Sequence, residues 1–389
     1  MNIRTALRMV RTLPLFVFAA TAIQAQAQTY NLTLLDGSDA GVNINNSGQV
    51  VVTSGFINAG IWSNGQTTPL DTMGVRFQLP YEINNGGEVI GDAMRVLGRG
   101  TGALWNANGQ GQLLTMPSYD YTTAQGINDA HVVVGSATDV LRMRAVVWQN
   151  GTGSLLAGLP MTLITSSSAT DINNDGQVVG YTFSGGFAHA VIWHDIHSDA
   201  ALLPALAGTN QSQATFINDA GQAIGTSQLV TVTNGANTPG KRIATLWSGG
   251  TAIELHNLAD ATGDTDVAGI NIQGMAVGTS WIASASSNQH GIATLWSPDG
   301  QSAVDLNTLL DPKDAKSGWV LQAAYDINDQ GMIVGQAFNS ITSETTGFLL
   351  TPVPEPTTAI YFALGLLGTA CAVRRRYKRH HKDQTDRRA

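Results

Sequence analysis

The chain has 389 residues, 43% of them hydrophobic and only 12% charged, with 43 glycines and one cysteine, Cys371. Three of its 20 Lys and Arg precede residue 12 and eight follow Val373, so the intervening chain sets nine against 26 acidic residues, a net charge of about −17. Such a surface repels phosphate backbones and argues against a nucleic-acid partner, and one cysteine excludes a disulfide framework.

Residues 1–27 place Arg4, Arg8 and Arg11 before an apolar run, Leu13 to Ala22, and then reach Ala25-Gln26-Ala27. That order is a secretory signal peptide with a small-residue cleavage site, so the mature chain is expected to start near Gln28. Tyr30 to Leu35 reads as a lone apolar strand.

Beyond it, the pattern Ile-Asn-x-x-Gly-x-x-x-Gly begins seven times, at Ile44, Ile83, Ile127, Ile172, Ile217, Ile270 and Ile327. A spacing of 39 to 57 residues marks a repeat architecture whose units bury their apolar faces against one another. Asn at the first position and Gly at the fourth suit a type I turn ending in a left-handed residue, and Val-Val after it suits a strand. His131 replaces the first Gly in the third copy and Val52 the second Gly in the first, substitutions expected to cost about 1 kcal/mol each. About twenty residues after each Asn an apolar stretch ends in Trp62, Trp105, Trp148, Trp193, Trp247 or Trp296, with Phe348-Leu349 in the seventh unit. A large aromatic once per unit fills the wedge between neighbouring sheets. Turn dipeptides such as Asn64-Gly65 and Asn150-Gly151 follow the tryptophans, giving about four antiparallel strands per unit.

The expected fold over 28–352 is therefore an all-β seven-bladed β-propeller, with a β-solenoid as the alternative. The seventh unit lacks a last strand, and Tyr30 to Leu35 is of the missing type. Its addition to the seventh blade would close the ring and protect the sheet edges.

The turn pattern, with His189-Ala190-Val191-Ile192-Trp193 in the fourth unit, resembles the HAF family of extracellular repeats over Gln28 to about Thr351. That resemblance implies a surface location and a repeat fold, and no particular chemistry. At the other end, Val353-Pro354-Glu355-Pro356 is followed by an apolar segment, 357–373, just long enough to span a bilayer, then by Arg374-Arg375-Arg376 and a basic tail, 377–389. This order resembles a PEP-CTERM sorting signal (353–376), which implies a Gram-negative bacterium, an exosortase partner, a membrane-held intermediate, and release to the cell surface or its matrix. A biofilm exopolysaccharide, or other surface proteins, would then be the surroundings.

Function is expected where the repetition breaks. Longer excursions at Leu229 to Lys241, Trp281 to His290 and Asp311 to Trp319 fall on one face, and Trp281 and Trp319, the two tryptophans outside the anchors, are candidates for stacking on sugar rings. Either ring could instead pin its own loop. Asp171, Asn173 and Asp175 open like a calcium loop, but the twelfth position is Thr182 instead of a bidentate Glu, so no cofactor is assigned. His194 and His197 in a hairpin turn lack the geometry of a zinc pair. There is no G-x-S-x-G elbow, phosphate loop or H-E-x-x-H, and the carboxylates read as scattered in turns. A non-enzymatic binding or structural protein is the expectation; a secreted carbohydrate-active enzyme, a polysaccharide lyase or hydrolase, is the alternative.

Overall fold

The computed structural model describes residues 28–354, apart from 56–57, 97–98, 141, 160–165, 234–235 and 283–289. The expected signal peptide (1–27), the apolar segment 357–373 and the basic tail lie outside the described residues. Among those described, no helix is long and apolar enough to cross a membrane.

Seven four-stranded antiparallel sheets follow one another as the blades of a propeller. Blade 4 shows the plan: an inner strand Ser166–Ile172, then Val178–Ser184, Phe187–Trp193 and an outer strand Ala201–Leu202. In blade 7 the inner strand is Trp319–Ile327, followed by Ile333–Asn339 and Thr345–Pro352, and the fourth place is taken by Tyr30–Leu35. Its register runs from Tyr30 opposite Pro352 to Leu35 opposite Gly347. The ring is therefore shut by the strand expected to shut it, and no open solenoid edge remains.

The turn after each Ile-Asn follows from its composition. In the first copy Gly48 takes φ +74° and donates its N–H to the Asn45 carbonyl. His131 adopts φ +61° in the same place and meets Glu88 of the preceding blade. The second Gly has a different reason. A Cβ on Gly180 would lie 2.0 Å from the Ser168 carbonyl oxygen, and the equivalent Gly91, Gly135, Gly225, Gly278 and Gly335 meet their inner strands as closely. Val52 escapes because Gly41 stands opposite it. The expected cost of about 1 kcal/mol thus fits the first position, where a side chain finds room, whereas at the second the cost depends on the partner strand.

The core is a series of wedges between blades, not one central mass. Trp105, Trp148, Trp193 and Trp296 are fully buried there, and Trp247 nearly so. Each indole N–H bonds a carbonyl just beyond the outer strand of the preceding blade: Asp71, Thr115, Ala157, Pro204 and His256 accept at 2.6–3.1 Å. These five tryptophans are blade-to-blade bolts, with both ring and N–H satisfied, while Trp62 of blade 1 is only partly buried.

Candidate functional site: the central channel

Every inner strand carries a β-bulge just before its Ile-Asn, with register shifts such as Ala169/Asp171 and Ala324/Asp326. A bulge adds an unpaired residue and re-aims its side chain. The seven residues so inserted are Val42, Tyr81, Gln125, Thr170, Thr215, Ala268 and Tyr325, and all seven line one cavity of about 510 Å³ along the propeller axis. Phe216 joins them from the next position. The upper channel is thus mixed in character, with three aromatic rings among two threonines and a glutamine.

The following residue of each copy forms a second tier, Asn43, Glu82, Gly126, Asp171, Phe216, Gly269 and Asp326, and all of these but Gly126 line a smaller space of about 150 Å³ at the turn end. These side chains reach to the next blade. Asn43 accepts from the Ile83 N–H at 2.9 Å, Glu82 from Ile127 at 3.3 Å, Asp171 from Ile217 at 2.8 Å and Asp326 from Ile44 at 2.9 Å. Asp171 and Asp326 also accept from the N–H of their own Ile172 and Ile327. Gly126 and Gly269 leave the room: a Cβ on Gly126 would lie 2.6 Å from Asp171 Cα, and one on Gly269 2.6 Å from Asp326 Oδ1.

Three carboxylates therefore converge on the axis, with no basic side chain among the channel-lining residues. Burial raises the pKa of Glu82 well above the carboxylate range, and repulsion from Asp171 and Asp326 adds to it. Burial likewise raises Asp171, against the pull of its two N–H donors. Asp326 is pushed up to about 7 by burial, again opposed by its N–H partners. Asp171 is buried, whereas Glu82 and Asp326 keep part of their surface open. Behind the upper tier, Tyr81 donates its hydroxyl to Asp92 at 3.0 Å; burial pushes Asp92 up to about 6, and its Oδ1 is buried with no hydrogen-bond partner.

Below the carboxylates the turns lock together. Each repeat Asn accepts from the N–H four residues on with Oδ1, while its Nδ2 donates to the carbonyl of the corresponding Asn in the next blade. The seven inter-blade bonds, at 2.8–3.3 Å, run from Asn45 to Asn84, Asn128, Asn173, Asn218, Asn271, Asn328 and back to Asn45. A second circle, of Asn46, Asn85, Asp129, Asn174, Asp219 and Asp329, is interrupted at Ile272, whose side chain offers no acceptor.

The residues singled out in the sequence are not brought together. Asp171 faces the axis, Asn173 belongs to the asparagine circle, and Asp175 is exposed at the turn, so the three do not share a calcium position. Among the described residues there is no group of three His, Cys, Asp or Glu placed to hold a metal ion. Trp319 packs against the core of blade 7 and pins its own strand. Trp281 lies elsewhere, in a groove between blades 6 and 7, with its N–H on Asp266 Oδ2 at 2.8 Å. Leu229 to Lys241 is not a loop but a β-ribbon prolonging blade 5, with Val230 paired to Pro239 and Thr233 to Ala236. The segment after Asp311 holds the closing strand: Asp311 N–H bonds the Tyr30 carbonyl, and Asp314 accepts from Leu32 N–H. Val353 and Pro354 end the described chain, and Glu355, Pro356, Arg374, Arg375 and Arg376 lie beyond it. Of the channel carboxylates, which the sequence places among scattered turns, Glu82 and Asp326 were not singled out, and Asp171 only as part of a calcium-like loop. Their signal was available: the two positions before each Ile-Asn vary between copies while the residues around them repeat.

No family model matches the chain, and no curated protein matches it in sequence. Solved structures with a similar chain path include a TolB-like protein from Agrobacterium tumefaciens, at 9% identity and TM-score 0.43, covering 59% of this chain and 90% of that one. A gluconolactonase from Xanthomonas campestris matches at 12% identity and TM-score 0.37, covering 84% of this chain and 91% of that one. A puromycin hydrolase matches at 12% identity and TM-score 0.43, covering 82% of this chain and 51% of that one. The seven-bladed architecture rests on this chain's own sheets, and likenesses of this degree carry no activity across.

Proposed function

We propose that this protein is an exported binding protein whose channel holds a saccharide unit of the surrounding exopolysaccharide. The observation that carries the reading is the coincidence of sequence variation with the channel. A pure scaffold would repeat at its bulges as it does at its turns; here the bulge residues differ blade by blade and leave Tyr81, Phe216 and Tyr325 around a cavity the size of a small ligand. Aromatic faces stack on the C–H faces of a sugar ring, and Thr170, Thr215 and Gln125 offer hydroxyl-matched hydrogen bonds. The carboxylates below disfavour an anionic sugar. Delivery rests on the two ends: a secretory signal, and a tail resembling an exosortase substrate. Val353 N–H bonds the Thr29 carbonyl at 2.8 Å, so a cut beyond that bond leaves blade 7 complete.

Titration calorimetry of the mature protein with neutral mono- and oligosaccharides tests the binding role. Binding that Phe216→Ala and Tyr325→Ala abolish supports it; binding indifferent to both refutes the channel as the site.

One observation favours the enzymatic alternative, a polysaccharide hydrolase or lyase. Glu82, Asp171 and Asp326 stand together on the axis with raised pKa values, as the general acid of a carboxyl pair requires. Against it, Asp171 and Asp326 each already accept two backbone N–H bonds as clamps between blades. New reducing ends or unsaturated products from exopolysaccharide, lost in Glu82→Gln, would decide for the enzyme.

A further inference from the structure

Between blades 6 and 7 a groove of about 250 Å³ is lined by Trp281, Asp266, Thr279, Gln322 and Gln336, and Ala268 and Tyr325 line both it and the channel. The two spaces thus lie on either side of Ala268 and Tyr325, on the side of the propeller away from the repeat turns.

Trp281 is held there more firmly than packing of its own loop requires. Its main chain is tied on both sides, by donation to the Asp264 carbonyl at 3.0 Å and by acceptance from Gly263 N–H at 2.8 Å. Its indole N–H is fixed by Asp266, and Asp266 in turn receives Arg242 Nη2 at 3.2 Å. Arg242 is anchored by Asp264 through Nε at 3.1 Å. Across the strand from Trp281 stands Gly291, where a Cβ would come within 2.7 Å of the Gln322 carbonyl and 3.4 Å of the indole edge. The blade 7 backbone therefore passes close beside the ring, and Asp266 shares the Arg242 guanidinium with Asp264. A half-buried, oriented indole flanked by amide, hydroxyl and carboxylate side chains is suited to an uncharged polyhydroxylated ring.

We propose that this groove is a second saccharide subsite, adjoining the channel across Tyr325, in which Trp281 stacks on the unit next to the one held by Tyr81, Phe216 and Tyr325. The inference rests on the channel reading given above and adds to it the ligand's form: an uncharged chain of at least two units, laid from the axis outward between blades 6 and 7.

The test is calorimetry of the mature protein against gluco- and galacto-oligosaccharides of one to four units, comparing the native sequence with Trp281→Ala, Trp281→Phe and Phe216→Ala. The native protein is expected to bind the two-unit probe about tenfold more tightly than the single sugar. Trp281→Ala removes that gain and leaves the single sugar unchanged; Trp281→Phe keeps most of it; Phe216→Ala weakens every length. Matching melting curves exclude unfolding as the cause. An unaltered gain in Trp281→Ala, or a native protein indifferent to length, overturns the second subsite while the channel reading stands. No binding of any probe overturns both.

Discussion

Asn328 donates its side-chain amide to the main-chain carbonyl of Asn45, 3.0 Å away and 283 residues earlier in the chain. That bond is the seventh of a circle in which every blade grips the next by the same two groups. The asparagine of the repeat is therefore required twice over: its oxygen shapes its own turn, and its amide holds the neighbouring one. Only a side chain bearing an acceptor and a donor on one carbon does both.

Replacing Asn328 by Ala should cost about 1–3 kcal/mol, because the buried Asn45 carbonyl loses one of its two donors, keeping only Gly48 N–H, and the Asn328 turn loses its acceptor. Asn328→Asp keeps the turn acceptor but sets a second oxygen against that carbonyl, and should cost at least as much. Denaturant unfolding of both variants is the check; an Asp variant as stable as the native protein would show that the circle contributes nothing.

Closure through Tyr30–Leu35 gives a sharper expectation. Deleting 28–36 removes six paired residues, the buried Tyr30 and Leu35, and the contacts to Asp311 and Asp314, so stability should fall by several kcal/mol. Unchanged melting would mean that blade 7 does not need its fourth strand.

The two glycines of one turn separate two physical demands. Gly176 sits at φ +80° with open space around it, so Gly176→Ala should cost about 1 kcal/mol, as the tolerance of His131 at that position suggests. Gly180→Ala drives a methyl onto the Ser168 carbonyl and should cost about 3 kcal/mol through backbone displacement. Equal losses in the two variants would contradict the contact.

What could be read from the sequence follows from what repeats. Seven Ile-Asn turns, the tryptophan anchors and the orphan strand fix blade number, strand order and closure, because each is a local signal that recurs. The site was hidden for the opposite reason: Tyr81, Glu82, Thr170, Asp171, Tyr325 and Asp326 differ from copy to copy, and only the bulge reveals that successive residues face the axis at all. Excess length has structural uses that sequence does not distinguish from a loop, since Leu229 to Lys241 spends its extra residues on strand pairing and the segment from Asp311 on holding Tyr30 and Leu32.

The C-terminal reading makes its own demand. If Val353 to Pro356 is the cutting region of a sorting signal, mature surface protein should yield no peptide beyond about Thr358 by mass spectrometry. Replacing Pro354, Glu355 and Pro356 with alanine should then retain the chain in the membrane fraction. Intact C-terminal peptides on surface material would reduce the tail to an ordinary anchor.

The carboxylates on the axis set the pH dependence of stability. Asp326 has an ordinary value of 3.8 and is pushed up to about 7 in the folded chain, so the native state binds its proton more tightly than the unfolded state does. Its contribution is fully present below about pH 4 and is lost as pH rises through 7. Melting temperature should therefore climb as pH is lowered from 8 to 5, with Glu82 and Asp171, raised in the same direction, contributing in the same sense. The general relief of negative charge on acidification acts too, and Asp326→Asn separates the two. Asn43 already occupies the equivalent place in blade 1 and accepts from Ile83 N–H through its amide oxygen, so an amide fits the clamp without a charge. Asp326→Asn should melt higher than the native protein at pH 8, match it near pH 5, and show a shallower slope between. A variant whose melting curve stays parallel to the native one across that range would show that Asp326 titrates alike in folded and unfolded chains, and that burial on the channel axis does not shift it.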